Sequence, residues 1–131
     1  VNNLESYVKF EGAKMNVADY YASSDLLLVT SHFDNIWSST IAEAMMLACP
    51  TVLTDAGYTS EVFKDGFDTI LIDKDNSDSA AKKINYLLDN ENLRTDIRKN
   101  AKLTLRKYRR YNDQCSEDYY KLYSKIISEF D

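Results

Sequence analysis

Apolar and polar positions alternate along the first half of the chain in short blocks, and along the second half in helical stripes. Tyr7-Val8-Lys9-Phe10-Glu11 alternates, is rich in β-formers and stops at Gly12, which predicts a strand. Asn16 is a candidate cap for a short helix over Val17 to Ala22 that ends near Ser23-Ser24. Leu26-Leu27-Leu28-Val29-Thr30 is a continuous apolar run bounded by polar residues, the pattern of a strand buried on both faces. Ser38 or Ser39 can cap the next helix, which runs to about Cys49 with Ile41, Ala44, Met45 and Ala48 on one face. Pro50 opens a strand over Thr51-Val52-Leu53-Thr54. Gly57 permits a turn, Ser60 to Lys64 a helical turn, and Asp65-Gly66 leads into a fourth strand, Thr69-Ile70-Leu71-Ile72.

The pattern then becomes wholly helical. Ala80, Ala81, Ile84, Leu87 and Leu88 form a stripe within Asn76 to Asn90. Ile97, Ala101 and Leu105 recur within Leu93 to Tyr108, and Tyr119, Tyr120, Tyr123, Ile126, Ile127 and Phe130 within Ser116 to Phe130. These are three amphipathic helices, and the tyrosines of the last read as a packing face. Strand–helix alternation followed by helices gives an α/β fold: a Rossmann-like parallel sheet of about four strands, flanking helices and a helical C-terminus. With no internal repeat or linker in view, residues 1–131 form one unit.

Composition narrows the classes. The chain has 131 residues, 44% hydrophobic and 28% charged, enough for one domain with a core. Its net charge of −5 is spread along the chain, which argues against nucleic acid or an anionic membrane as the main partner. The one basic run, Arg106-Lys107-Tyr108-Arg109-Arg110, is expected near a helix end, where the dipole favours cations. No apolar run approaches the ~20 residues of a membrane span, and the N-terminus is unlike a signal peptide. Cys49 and Cys115 are the only cysteines and fit a reducing, cytoplasmic setting. His32 is the only histidine, so a multi-histidine metal site is excluded. The chain opens on Val1 rather than Met, and reads as a piece of a longer protein.

Ligands of a parallel sheet bind beyond the carboxyl ends of its strands. The loops expected there are Gly12 to Asn16, Ser31 to Ser39 and Asp55 to Glu61, converging on one crevice. At Ser38-Ser39-Thr40, free helix amides and small side chains suit a phosphate. Glu43, about one turn on, can accept hydrogen bonds from sugar hydroxyls. Together they describe a nucleotide or nucleotide-sugar site. The competing explanation is structural: Thr40-x-x-Glu43 matches a capping box. Gly57 and Glu61 likewise fit a turn with a first-turn acid, and His32 and Trp37 fit structural roles. There is no phosphate loop of the Walker type and no Gly-x-Gly-x-x-Gly.

Several segments, in order, resemble the C-terminal domain of GT-B glycosyltransferases, specifically the retaining glycosyltransferase family 4, also called group 1. Val8-Lys9-Phe10-Glu11-Gly12 is similar to the family's V-x-F-x-G strand, and Asp19 to Asp25 to its Y-Y-x-x-A-D helix. Thr30-Ser31 matches P-S, and Ala42 to Val52 matches L-E-A-M-A-x-G-x-P-V-V. Gly57 to Glu61 corresponds to G-G-x-x-E, with Tyr58 at the second glycine. Lys64 to Asp68 matches the turn before the last strand, and Tyr120 to Tyr123 the closing helix.

The resemblance implies transfer of a sugar, with retention, from a UDP-, GDP- or ADP-sugar to a saccharide or glycan acceptor, as in polysaccharide biosynthesis. This chain would be the donor-binding part. The family's pair of glutamates, eight positions apart, falls on Asn35 and Glu43; these are the implied catalytic positions, with Glu43 on the ribose. Asn35 carries no charge, and a one-residue shift would bring Asp34 there. Ser31 and Ile36 to Thr40, including Trp37, Ser38 and Ser39, would border the diphosphate, Gly12, Ala13 and Lys14 the base, and Gly57, Tyr58 and Glu61 the donor. No metal or other cofactor is implied. The acceptor-binding domain and the family's basic diphosphate clamp are not in this sequence, so the piece alone is expected to be inactive. Exposed sheet edges imply missing chain or self-association, and a missing domain could carry peripheral contact with the inner face of a membrane. Alternatives within reach of the same residues are a nucleotide-sugar epimerase or phosphorylase, and a non-catalytic partner subunit, which Asn35 motivates.

Overall fold

The computed structural model describes residues 4–33 and 38–130, with the backbone alone described at 109–113 and 130. Three parallel strands, β1 (Leu27–Val29), β2 (Thr51–Thr54) and β3 (Ile70–Ile72), form a sheet in the order β1-β2-β3. Leu28 pairs with Val52, and Val52 in turn with Ile70. The helices are α1 (Val17–Ser23), α2 (Ser39–Met46), α3 (Thr59–Val62), α4 (Ser77–Asp89) and α5 (Glu91–Phe130).

Strand periodicity divides the core in two. Leu53 and Leu71 face one side with Ile41 and Met45 of α2, Phe63 and Ala101. Val52, Ile70 and Ile72 face the other with Leu87 of α4 and Ile97. The two outlying members, Ile97 and Ala101, both belong to α5, four residues apart, so this helix serves both layers. Thr51 and Thr69, fully buried, pair with each other between β2 and the start of β3. The Thr69 hydroxyl donates to the Thr51 carbonyl at 2.8 Å, and the two Oγ1 atoms lie 2.9 Å apart. Since the single proton of Thr69 is committed, Thr51 is the donor in that second bond.

The turn before β3 is pinned by two aspartates. Asp65 accepts from the Leu71 amide and from Lys83 of α4. Asp68, 3% exposed, accepts from the Lys64 amide at 2.8 Å and from the Thr104 hydroxyl of α5 at 2.6 Å. Asn76 caps α4 by accepting from the Ser79 amide, and Asn90 accepts from the Leu93 amide at the start of α5. α2 ends in a Schellman motif: the Cys49 amide donates to Ala44 and the Ala48 amide to Met45. Ala48 therefore sits at φ 59°, a left-handed position that glycine fills at lower cost and at which the resembled motif has glycine.

Several expectations change. Residues 7–11 are not a strand: a turn at 5–7 precedes irregular chain with Phe10 95% exposed, and no described strand pairs with it. A strand is held by its ladder, and a β-rich sequence without a partner does not supply one. Among the described residues the sheet thus has three strands, not four. Asn16 is the N-cap of α1 as expected, but its side chain accepts no helix amide; its side-chain amide donates to Asp19 instead. The helices expected over 93–108 and 116–130 are one helix of 40 residues, because no glycine or proline interrupts them. The basic run at 106–110 consequently lies within α5, away from its ends, and the dipole explanation for it fails. Tyr119, Tyr120, Tyr123, Ile126 and Ile127 are exposed in this chain, where α5 extends past the sheet, so they do not form an internal packing face. No helix among the described residues is long and apolar enough to cross a membrane.

Two substitutions test this framework. Asp68→Ala leaves the Lys64 amide and the Thr104 hydroxyl without their acceptor and should lower unfolding free energy by about 2–3 kcal/mol in a urea titration. Ala48→Gly relieves the left-handed Cβ and should raise it by about 0.5–1 kcal/mol, after offset by the greater freedom of glycine in the unfolded chain.

Candidate functional site

The carboxyl ends of β1 and β2 open onto a cavity of about 200 Å³. Ser31 and Phe33 line it from the loop after β1, Ser38, Thr40 and Ile41 from the start of α2, and Thr54, Ala56 and Thr59 from the end of β2 onward. Val29, Leu53 and Phe63 form its apolar floor. The hydroxyls are held by backbone bonds. Thr54 donates to the Val29 carbonyl at 3.3 Å, and the buried Thr59 donates to the Ala56 carbonyl at 2.6 Å across the Gly57 turn, where φ is 60°.

The start of α2 settles the capping question. Ser38 is the N-cap, and its hydroxyl accepts from the Ile41 amide at 3.3 Å. The third helical position is thus Ile41, and Glu43 lies two residues too far along to close a capping box. Glu43 is exposed on the outer face of α2, while Ile41, Ala44 and Met45 are buried beneath it. Ser39 and Thr40 occupy the first two helical positions, whose amides have no intrahelical carbonyl within reach. The cavity therefore combines a helix N-terminus with small hydroxyl side chains; Glu43, one turn along and not engaged in the cap, is exposed and does not line it. Such a set can receive an anionic group at the amides and a hydroxyl-bearing group beside it.

Not every residue expected at the site lies on this cavity. Ser31, Ser38 and Thr40 line it, with Ser39 adjacent in the helix start. Asp34, Asn35, Ile36 and Trp37 lie outside the described residues. Glu61 lines a separate groove with Asp55, Asp65, Asp73 and Lys83. Gly57 shapes the turn, and Tyr58 stands 63% exposed at the N-cap of α3, off the cavity lining. Gly12, Ala13 and Lys14 are exposed and do not line it either; Lys14 pairs with Glu11 at 3.2 Å. Lys9, Lys14 and the Tyr20 hydroxyl all converge on Glu11 and hold its carboxyl below the usual range, while Glu11 pushes the Tyr20 phenol up. Two of the three expected loops therefore meet at the cavity. Because residues 7–11 form no strand, the third does not leave a strand end.

Phe33, Thr54 and Thr59 line the cavity although no motif marks them: Thr54 is signalled only by its place at the end of a parallel strand, and Thr59 by nothing short of its burial. Cys49 is buried, which pushes its thiol up and makes it a core residue rather than a nucleophile.

Comparison with known proteins follows this geometry. Residues 2–104 match the family model for glycosyl transferases group 1. The chain is 29% identical over 109 residues to an uncharacterised glycosyltransferase of Methanocaldococcus jannaschii, covering 82% of this chain and 30% of that protein. It superposes with a TM-score of 0.79 on Anabaena HepE, crystallised in complex with UDP-glucose, at 26% identity over 90% of this chain and 33% of that one. Sucrose-phosphate synthase of Thermosynechococcus elongatus shares the fold, with a TM-score of 0.81 at 19% identity over 93% of this chain and 32% of that one. The chain thus spans about a third of the length of these proteins. Its matched segment, its parallel sheet and its long closing helix agree with one another: the chain belongs to the glycosyl transferases group 1 and corresponds to part of their GT-B C-terminal domain.

Proposed function

We propose that this chain is the donor-binding part of a retaining glycosyltransferase, and that its donor is a UDP-sugar. The observation that carries this is the open N-terminus of α2 beside the cavity, where Ser38 spends its hydroxyl on Ile41 and leaves the Ser39 and Thr40 amides without an intrahelical acceptor. A diphosphate placed there accepts from those amides and from nearby hydroxyls, and lies in the favourable field of the helix dipole. Glu43, outside the cap and exposed, accepts from the ribose hydroxyls. The binding of UDP-glucose by Anabaena HepE supports uridine and a hexose as the donor class.

In transfer, the bond between the anomeric carbon and the diphosphate oxygen breaks, and negative charge accumulates on the departing UDP. Fixed amides aimed at that charge lower the barrier without having to reorganise. Glu43 contributes by fixing the nucleotide, so that the sugar's anomeric carbon is presented in one orientation. The hydroxyl oxygen of the acceptor, a saccharide or glycan, bonds to the anomeric carbon as UDP leaves, and its proton passes to the departing diphosphate; contacts to the acceptor and further diphosphate contacts come from parts of the protein beyond this chain. This mechanism calls for no metal. A partner subunit that binds nucleotide without transferring sugar is the second reading, and Asn35 in place of a carboxylate favours it.

Calorimetry with UDP, GDP and ADP on the full-length protein tests the proposal. UDP should bind, with affinity unchanged by EDTA; absence of binding by all three nucleotides sinks the donor site. UDP binding with no release or transfer of glucose from UDP-glucose selects the partner-subunit reading. Glu43→Ala should weaken UDP binding about tenfold, the loss of one charged hydrogen-bond acceptor, and leave the melting temperature within about 1 °C. A fall in melting temperature with UDP affinity unchanged would return Glu43 to a structural role.

A further inference from the structure

The loops that leave the two outer strands meet over the end of the central one. His32, from the loop after β1, places Nδ1 3.7 Å from Asp75 Oδ1 in the loop after β3, an ion-pair distance for a protonated imidazole. Next to it, the Lys74 ammonium stands 5.4 Å from the centroid of the Phe33 ring. Two consecutive residues of one loop thus hold two consecutive residues of the other, in reversed order. Beneath them lies a second cavity of about 350 Å³, lined by Thr30, His32, Thr54, Asp73, Lys74 and Asp75 among others. Phe33 also lines the first cavity, beside Ser31 and Ser38. The segment 32–33 is therefore the wall between the two cavities, and the loop after β3 holds it from behind.

Asp75 adopts φ 58°, a left-handed conformation that aspartate and asparagine tolerate better than most residues. Each contact is exposed and weak by itself. Made from adjacent residues, the second forms at the high effective concentration set by the first, so the pair acts as one clasp.

We propose that Lys74 and Asp75 are positioning residues for the donor cavity: through Phe33 and His32 they fix residues 32–33, the part of the cavity wall next to Ser31, relative to the N-terminus of α2. The proposal rests on the donor-site reading above. Neither Lys74 nor Asp75 lines the donor cavity, and neutralising both together leaves the net charge unchanged, so an effect of the paired change on nucleotide affinity points to the clasp rather than to direct contact or overall charge.

The test is the variant Lys74→Met with Asp75→Asn in the full-length protein. Asparagine preserves the left-handed backbone and removes the charge. The UDP dissociation constant should rise about threefold to tenfold, as expected for losing an exposed cation–π contact together with a second weak exposed contact. Amide exchange at residues 31–33 should quicken. Restoring a cation with Lys74→Arg, in place of Met, should recover the part lost at Phe33, which a nonspecific loosening would not. If the unsubstituted protein binds UDP and the double variant binds it equally well, the clasp does not position the cavity and the proposal falls. If the unsubstituted protein binds no UDP, the donor-site reading falls first. Amide exchange then still decides the clasp itself, and unchanged exchange at 31–33 overturns it.

Discussion

Burial of β2 on both faces is the constraint from which the rest of the structure follows. Val52 and Leu53 point to opposite sides of the sheet and both are excluded from solvent, so each side must be covered by a helix. α2 covers one side through Ile41 and Met45, α4 the other through Leu87, and α5 closes both layers with Ile97 and Ala101. Parallel strands also place their carboxyl ends on one edge of the sheet, so α2, which follows β1, and α4, which follows β3, both start at that edge. The candidate site is a consequence of that geometry. A short helix laid across a buried strand has to begin at the strand's carboxyl end, and its first amides have to face the crevice there.

The electrostatics of this end are modest and local. Charge is present as single carboxylates and lysines rather than as a basic patch, which agrees with the net charge of −5. An anion at α2 would rely on backbone dipoles, whose orientation is fixed by Ser38 and by the buried face of the helix. Ser38 therefore has a structural duty that bears on function: by satisfying Ile41 it defines where the helix starts and which amides stay available. The aspartates of the turn before β3 do a different job. Asp65 and Asp68 tie the start of β3 to α4 and α5, fixing the sheet against the two helices that follow it.

Much of this was legible in the sequence because the signals were local. The apolar run at 26–30, the stripe Ile41-Ala44-Met45 and the Pro50 boundary each specify an element by periodicity or by a missing donor. The N-cap was narrowed to two serines, and only the hydrogen bond to Ile41 chose between them. What sequence did not reveal depends on partners. Residues 7–11 have the composition of a strand, but a strand exists only with a neighbour to pair with. The tyrosine stripe at 119–127 has helical spacing, yet spacing does not say what lies opposite, and in this chain nothing described does. The junction near 110 looked like a boundary because the apolar stripe fades there, while helix continuity depends on the absence of breakers. Contacts made between loops, such as those of His32 and Phe33 with Asp75 and Lys74, join residues some forty positions apart and leave no periodic trace.

The central claim is that the N-terminus of α2 receives the diphosphate of a uridine nucleotide. Its most direct test is a titration of the isotope-labelled protein with UDP, followed through its backbone amide resonances. The account predicts saturable shifts concentrated at the Ser39 and Thr40 amides, with uridine alone giving much smaller shifts there because it lacks the phosphates. Saturable binding whose shifts fall elsewhere and leave Ser39 and Thr40 unmoved would contradict it.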